Sequence, residues 1–147
     1  MHYILNIALT LAIGGLSSIL TSSGQKNFAE VFAQSPLTPP SWVFPVVWTI
    51  LYVLMAIGYT RVREKCPEQS GKIYWIQLAF NFLWPIAFFN FNWFLFSFFW
   101  LLALLMLVIL MTLSFSKCDR FSAYLQIPYI LWLLFAAYLN FMVYLLN

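Results

Sequence analysis

The sequence predicts an all-α membrane protein, a bundle of five transmembrane helices forming one domain over residues 1–147. Three observations predict it. Of 147 residues, 64% are hydrophobic. Only 7% are charged, against about a quarter in soluble domains, too few to dress a water-facing surface. The apolar residues fall into five stretches, none holding a charge. Disorder needs the opposite composition, and two cysteines cannot build a secreted disulfide scaffold.

Crossing the hydrocarbon takes about 20 apolar residues, so about five spans exhaust the chain while leaving room for loops. The first span is read at 3–20, the second at 42–60, the third at 73–89, the fourth at 93–115 and the fifth at 121–146. A β-barrel would alternate apolar and polar residues with period two, and Leu101 to Leu113 does not. Span one lacks the basic start of a signal peptide, so it is expected to remain in place as a helix.

Charge placement predicts orientation. Arg61, Arg63, Lys65 and Lys72 follow span two, and Lys117 and Arg120 follow span four, whereas Lys26 stands alone on the other side. The positive-inside rule then puts the N-terminus in the cytoplasm and the C-terminus outside, as in a multi-pass protein of a bacterial inner membrane. Those basic residues are read as topology signals and lipid contacts, with no nucleic-acid partner. Cys66 and Cys118 share the basic side, where reduced thiols are expected. The connection 22–41 ends in Ser35-Pro36-Leu37-Thr38-Pro39-Pro40-Ser41. Prolines fix backbone angles and stop helix propagation, so this loop is expected to lie across one end of the bundle in a defined shape, as a lid or as a plain connector.

The spans lack Asp, Glu, Lys and Arg, which coupled carriers and proton relays usually place there. No metal-ligand cluster, no Ser/His/Asp set and no phosphate loop is present. What the spans hold is aromatic and amide side chains at helical spacing. Trp48, Tyr52, Met55 and Tyr59 share one face. Gln77, Asn81, Trp84 and Phe88 share another. Pro128, Trp132, Ala136 and Asn140 share a third, with Tyr124 and Tyr144 at its ends. Amides and indole N–H groups need partners in a membrane, so these faces are expected to turn inward. They suit either helix packing or a cavity for a flat apolar ligand with polar edges. Trp42 and Trp93 are expected at the membrane interface. Ala8, Ala12, Gly14, Gly15 and Ser18 give span one a small-residue face for close helix contact, within the bundle or in a homodimer.

Pro36-Leu37-Thr38-Pro39-Pro40-Ser41-Trp42-Val43-Phe44, followed by Val47-Trp48-Thr49-Ile50-Leu51-Tyr52, resembles the tryptophan-rich sensory protein and translocator protein family. Asn81-Phe82-Leu83-Trp84-Pro85 with Phe88-Phe89 resembles its third span. Pro128-Tyr129-Ile130-Leu131-Trp132 with Phe135-Ala136 and Leu139-Asn140 resembles its fifth. The resemblance implies a five-helix bundle, often a homodimer, whose pocket under the first loop takes porphyrins, sterols and drug-like molecules. It implies ligand contacts from Trp48, Trp132, Asn81 and Trp84, and a position at Ala136 where side-chain size matters. Pro39, Pro40, Tyr52, Phe88 and Asn140 complete the expected site.

On this reading the protein binds or senses porphyrins, with protoporphyrin IX or haem as ligand rather than cofactor and no metal site. Light-dependent porphyrin degradation through Trp48 and Trp132, or passive transport of porphyrin or lipid, are the alternatives. The chain departs from the family where Phe28-Ala29 replaces an early Trp-Tyr. It also has Trp100 where some members carry an acid, and no basic residue after Tyr144 to complete a sterol motif.

Overall fold

A computed structural model describes residues 2–147. Among them the regular structure is all helical: α1 His2–Leu20, α2 Ser22–Val31, α3 Val43–Lys65, α4 Lys72–Pro85, a π turn Ile86–Asn90, α5 Phe94–Ser116, α6 Arg120–Tyr124 and α7 Ile127–Leu146. Four stretches are long and apolar enough to cross a membrane by length and composition: α1, α3, α5 and Arg120–Leu146. The third predicted span is shorter as an α-helix, at 14 residues. Pro85 has no N–H to give the carbonyl four residues back, and the rod continues as a π turn in which Phe91 N–H reaches Ile86 O at 3.2 Å. Asn92, at φ 56°, ends it in a left-handed conformation that Asn tolerates.

The core runs down the middle of the bundle. Met55, Tyr74, Leu78, Leu104, Val108, Met111 and Leu133 are sealed within it. Helix α1 packs along α3, α4 along α5, and α5 along α7, but α3 and α7 touch only sparingly. Hydroxyls that would be costly in lipid bond back to the preceding turn. Thr49 donates to Pro45 O at 2.7 Å, Thr60 to Ala56 O at 2.8 Å and Thr112 to Val108 O at 2.8 Å.

The structure departs from the sequence reading in four places. The 22–41 connection begins as α2, because no proline interrupts it before Pro36 and Phe28 anchors it among Phe88, Phe89 and Phe94. Helix α3 runs to Lys65, so Arg61, Arg63 and Lys65 sit on its last turns rather than in a loop. Cys66 and Cys118 are not free thiols. They form a disulfide, the end of α3 and the α5–α6 turn bringing their Cα atoms to 6.3 Å, within bridging range. The small residues of α1 divide: Gly14 faces inward, while Ala8, Ala12, Gly15 and Ser18 are exposed on the outer side. Trp42 and Trp93, 67% and 54% exposed, precede the first turns of α3 and α5.

Candidate functional site

The three polar stripes turn inward along most of their length. Tyr52 hydroxyl donates to Asn81 Oδ1 at 2.9 Å, Asn81 Nδ2 donates to Tyr129 hydroxyl at 2.7 Å, and Tyr129 donates to Gln77 Oε1 at 2.8 Å. This relay joins α3, α4 and α7 through the bundle centre, where every partner left out would cost the desolvation of a buried polar group. Tyr129 is its hub and was not among the expected site residues. Its one missed signal is its place beside Pro128, three residues before Trp132. Thr10 and Tyr74 make a second buried pair at 2.6 Å, tying α1 to α4.

Toward α2, Trp84 Nε1 donates to Asn140 Oδ1 at 3.1 Å, and Asn140 Nδ2 donates to Phe94 O at 2.8 Å. Trp84 also stacks on Phe88 at 5.0 Å. Phe88 belongs to an aromatic cluster with Phe28, Phe89 and Phe94 that fills the space under α2. The rest of the lid is latched to α7. Asn147 Nδ2 donates to Ala33 O at 2.9 Å while Ala33 N–H donates to Asn147 Oδ1 at 3.1 Å, and the Ser35 and Tyr138 hydroxyls meet at 2.9 Å.

One open groove lies where α3 and α7 touch only sparingly. A groove of about 400 Å³ runs between Val47, Ile50 and Leu51 on one wall and Pro128, Leu131, Trp132 and Phe135 on the other. Its lining is almost wholly apolar. Trp132 meets Trp48 edge to face, ring centres 6.4 Å apart, and meets Phe44 and Phe135 at 5.7 Å each. Trp48 stacks on Tyr52 at 5.6 Å, which connects the groove to the relay. The Trp132 Nε1 is buried and has no hydrogen-bond partner among the described residues. Asn92, Ser97 and Gln126 also have such an atom, but none of those residues lines the groove.

The expected residues therefore separate into two groups. Trp48, Tyr52 and Trp132 meet at the groove. Asn81, Trp84, Phe88 and Asn140 are engaged by neighbouring helices, the packing role that buried amides commonly fill. Ala136 is half-buried against the main core between the two. Pro39 and Pro40 stand at the head of α3, where Pro40 O accepts Val43 N–H at 3.0 Å. Tyr124, Pro128 and Tyr144 face outward; Tyr124 does so because it lies on α6, a separate helix cut off from the α7 stripe at Leu125–Gln126. Trp100, in place of an acid, donates to Phe80 O at 3.0 Å and stacks on that ring at 4.2 Å.

Among known proteins, the chain is 33% identical to the tryptophan-rich protein TspO of Archaeoglobus fulgidus, across 100% of this chain and 97% of that one. It is 31% identical to the protein of the same name from Chlorobaculum tepidum, covering 96% and 92%. It is also 33% identical to the human translocator protein over 72% of this chain and 66% of the relative. Residues 6–145 match the TspO/MBR family, as Pro39-Pro40, Asn81 to Trp84 and Pro128 to Trp132 had implied. This chain, an integral multi-pass membrane protein, belongs to the TspO/MBR family.

Proposed function

We propose that the protein binds porphyrins such as protoporphyrin IX or haem in the lateral groove between α3 and α7 rather than in the filled space beneath the 22–41 segment. The observation that carries this reading is the unpartnered indole N–H of Trp132, a residue of the apolar groove's wall whose N–H is itself shut off from the open space, so that a ligand would reach it only when the ring turns. A buried donor without a partner is costly, and a planar ring bearing carboxylates supplies both the apolar faces and the acceptor that the groove lacks. A volume of about 400 Å³ lies within the range of small-molecule sites. Joining α4 to its π turn gives the third crossing of a five-span bundle, with the basic ends of α3 and α5 on the cytoplasmic side of a bacterial inner membrane. The outer face of α1, with Ala8, Ala12 and Gly15 exposed, suits helix contact in a homodimer.

Titrating purified protein with protoporphyrin IX and following tryptophan emission tests the binding. Saturable quenching that Ala136→Phe weakens is expected. Quenching equal to that of an unrelated membrane protein of like Trp content would exclude the reading. The Trp48–Trp132 pair favours one second reading, light-dependent porphyrin degradation, since two indoles would lie against an excited ring. In illuminated samples the Trp48→Phe/Trp132→Phe variant should then lose the fall in porphyrin absorbance.

A further inference from the structure

We propose that a second groove, between the end of α3, the 66–71 loop and the start of α4, holds the headgroup of an amine-bearing glycerophospholipid. It is an open surface groove of about 790 Å³, lined by Arg63, Glu68 and Lys72 beside an apolar floor of Trp75, Ile76 and Ala79. The charges sit at the ends of two helices of a membrane bundle, which is headgroup depth. The floor descends along α4 where an acyl chain would lie. The two cations can share one phosphate of phosphatidylethanolamine while the Glu68 carboxylate takes its ammonium. Basic pockets between helices at this depth bind lipid headgroups in other membrane proteins.

The cations are free to do this. Among the described residues the ion pairs are Arg61–Asp119 and Lys65–Asp119, which leave Arg63 and Lys72 unneutralised. Arg63 donates one N–H to Gln69 O and keeps its other donors. The first turn of α4 adds partial positive charge to the same place.

The groove is also built in advance. Its loop is tied at Cys66 by the disulfide to Cys118 and at Gln69 by a 3.1 Å bond from Nε2 to Ser114 O. Gly71 passes so close to Tyr59 that a Cβ there would fall 2.8 Å from its hydroxyl. That hydroxyl in turn accepts Trp75 Nε1 at 3.0 Å. A wall ordered before binding spares the ligand the cost of ordering it.

Native mass spectrometry of detergent-released protein, mixed with phosphatidylethanolamine, phosphatidylglycerol or inorganic phosphate, tests the assignment. The wild type should retain phosphatidylethanolamine in preference to phosphatidylglycerol. Arg63→Gln and Lys72→Gln should each weaken retention by about tenfold, the size of one charge-assisted bond. Glu68→Gln should keep a lipid adduct and lose the preference for the amine. The control Lys117→Gln, an equal charge change on the same side, should leave retention unchanged. An equal loss in the control would overturn the site. So would phosphate competing as well as lipid, or a wild-type preference for phosphatidylglycerol. Among the described residues the Lys72 side chain makes no hydrogen bond or ion pair, so Lys72→Gln keeps the test decisive even if Arg63→Gln fails to fold.

Discussion

Trp84 and Asn140 are joined across α4 and α7 by an indole-to-amide hydrogen bond of 3.1 Å. Trp132, two turns before Asn140 on α7, has an equally buried indole N–H and no partner. The two tryptophans belong to the same sequence pattern, yet one indole is satisfied by the fold and the other finds no partner among the described residues. On the porphyrin-binding reading proposed above, that contrast separates packing from binding.

Trp84→Phe and Trp132→Phe should therefore fail in opposite ways. Trp84→Phe strips a buried acceptor of its donor and should cost about 1–3 kcal/mol, read as a lower melting temperature in detergent. Trp132→Phe removes a donor that had no partner, so its melting temperature should stay close to wild type. Its protoporphyrin affinity should fall by about tenfold, the scale of one hydrogen bond to a charged acceptor. If the two variants melt alike and bind alike, the division is wrong.

Gly14 and Gly15 make a second matched pair. A Cβ at Gly14 would lie 2.3 Å from the Tyr52 ring, whereas one at Gly15 meets nothing within 4 Å. Gly14→Ala should push Tyr52 off Asn81 and cost about 1–3 kcal/mol by overpacking. Gly15→Ala should be neutral or slightly stabilising through helix propensity. Thermal melts of both variants by circular dichroism would show the difference, and a neutral Gly14→Ala would mean that Tyr52 yields freely.

Helix positions were legible because a span is a long apolar run, and α1 and α5 lie within one residue of their expected ends. The inward faces were legible for a related reason: Asn81, Gln77 and Asn140 must find partners in a membrane, and they do. Helix α2 was hidden because its sequence is polar and resembles a loop. Its reason to form is tertiary, the burial of Phe28 among rings 60 and more positions away. Tyr129 was hidden because spacing points to a face but does not name its hub. The sparing contact between α3 and α7, where the groove lies, depends on packing along both helices and has no local signature.

The Cys66–Cys118 bond closes a separation of 52 residues, and loop closure of that length is worth on the order of 2–4 kcal/mol. Cys66→Ser/Cys118→Ser should melt lower than the oxidised wild type, and a dithiol reductant should bring the wild type down to the variant while leaving the variant alone. Alkylation followed by mass spectrometry on protein taken straight from membranes should find both thiols blocked, which would place this end of the bundle in an oxidising compartment and reverse the cytoplasmic orientation proposed for it. Two alkylated cysteines there would restore the reduced state expected of a basic, cytoplasmic side.

Asp119 holds the same seam by charge. It accepts Arg61 Nε at 2.8 Å, Lys65 Nζ at 3.1 Å and Ser122 Oγ at 2.6 Å. The Arg61 guanidinium first, then the Ser122 hydroxyl, hold its carboxyl well below the ordinary value of 3.8. Because the folded value is depressed, ionised Asp119 stabilises the protein above the unfolded value and loses that contribution as pH falls through about 4 and below. Arg61 and Lys65 are partly exposed, so solvent screens the pairs and the effect should be modest and salt-dependent. Asp119→Asn should thus melt below wild type near about pH 7, with the gap closing as acid is added. The comparison needs melting curves for both proteins in low and high salt. A gap that stays constant through the acid range would mean that Asp119 acts by shape and hydrogen bonding rather than by its charge.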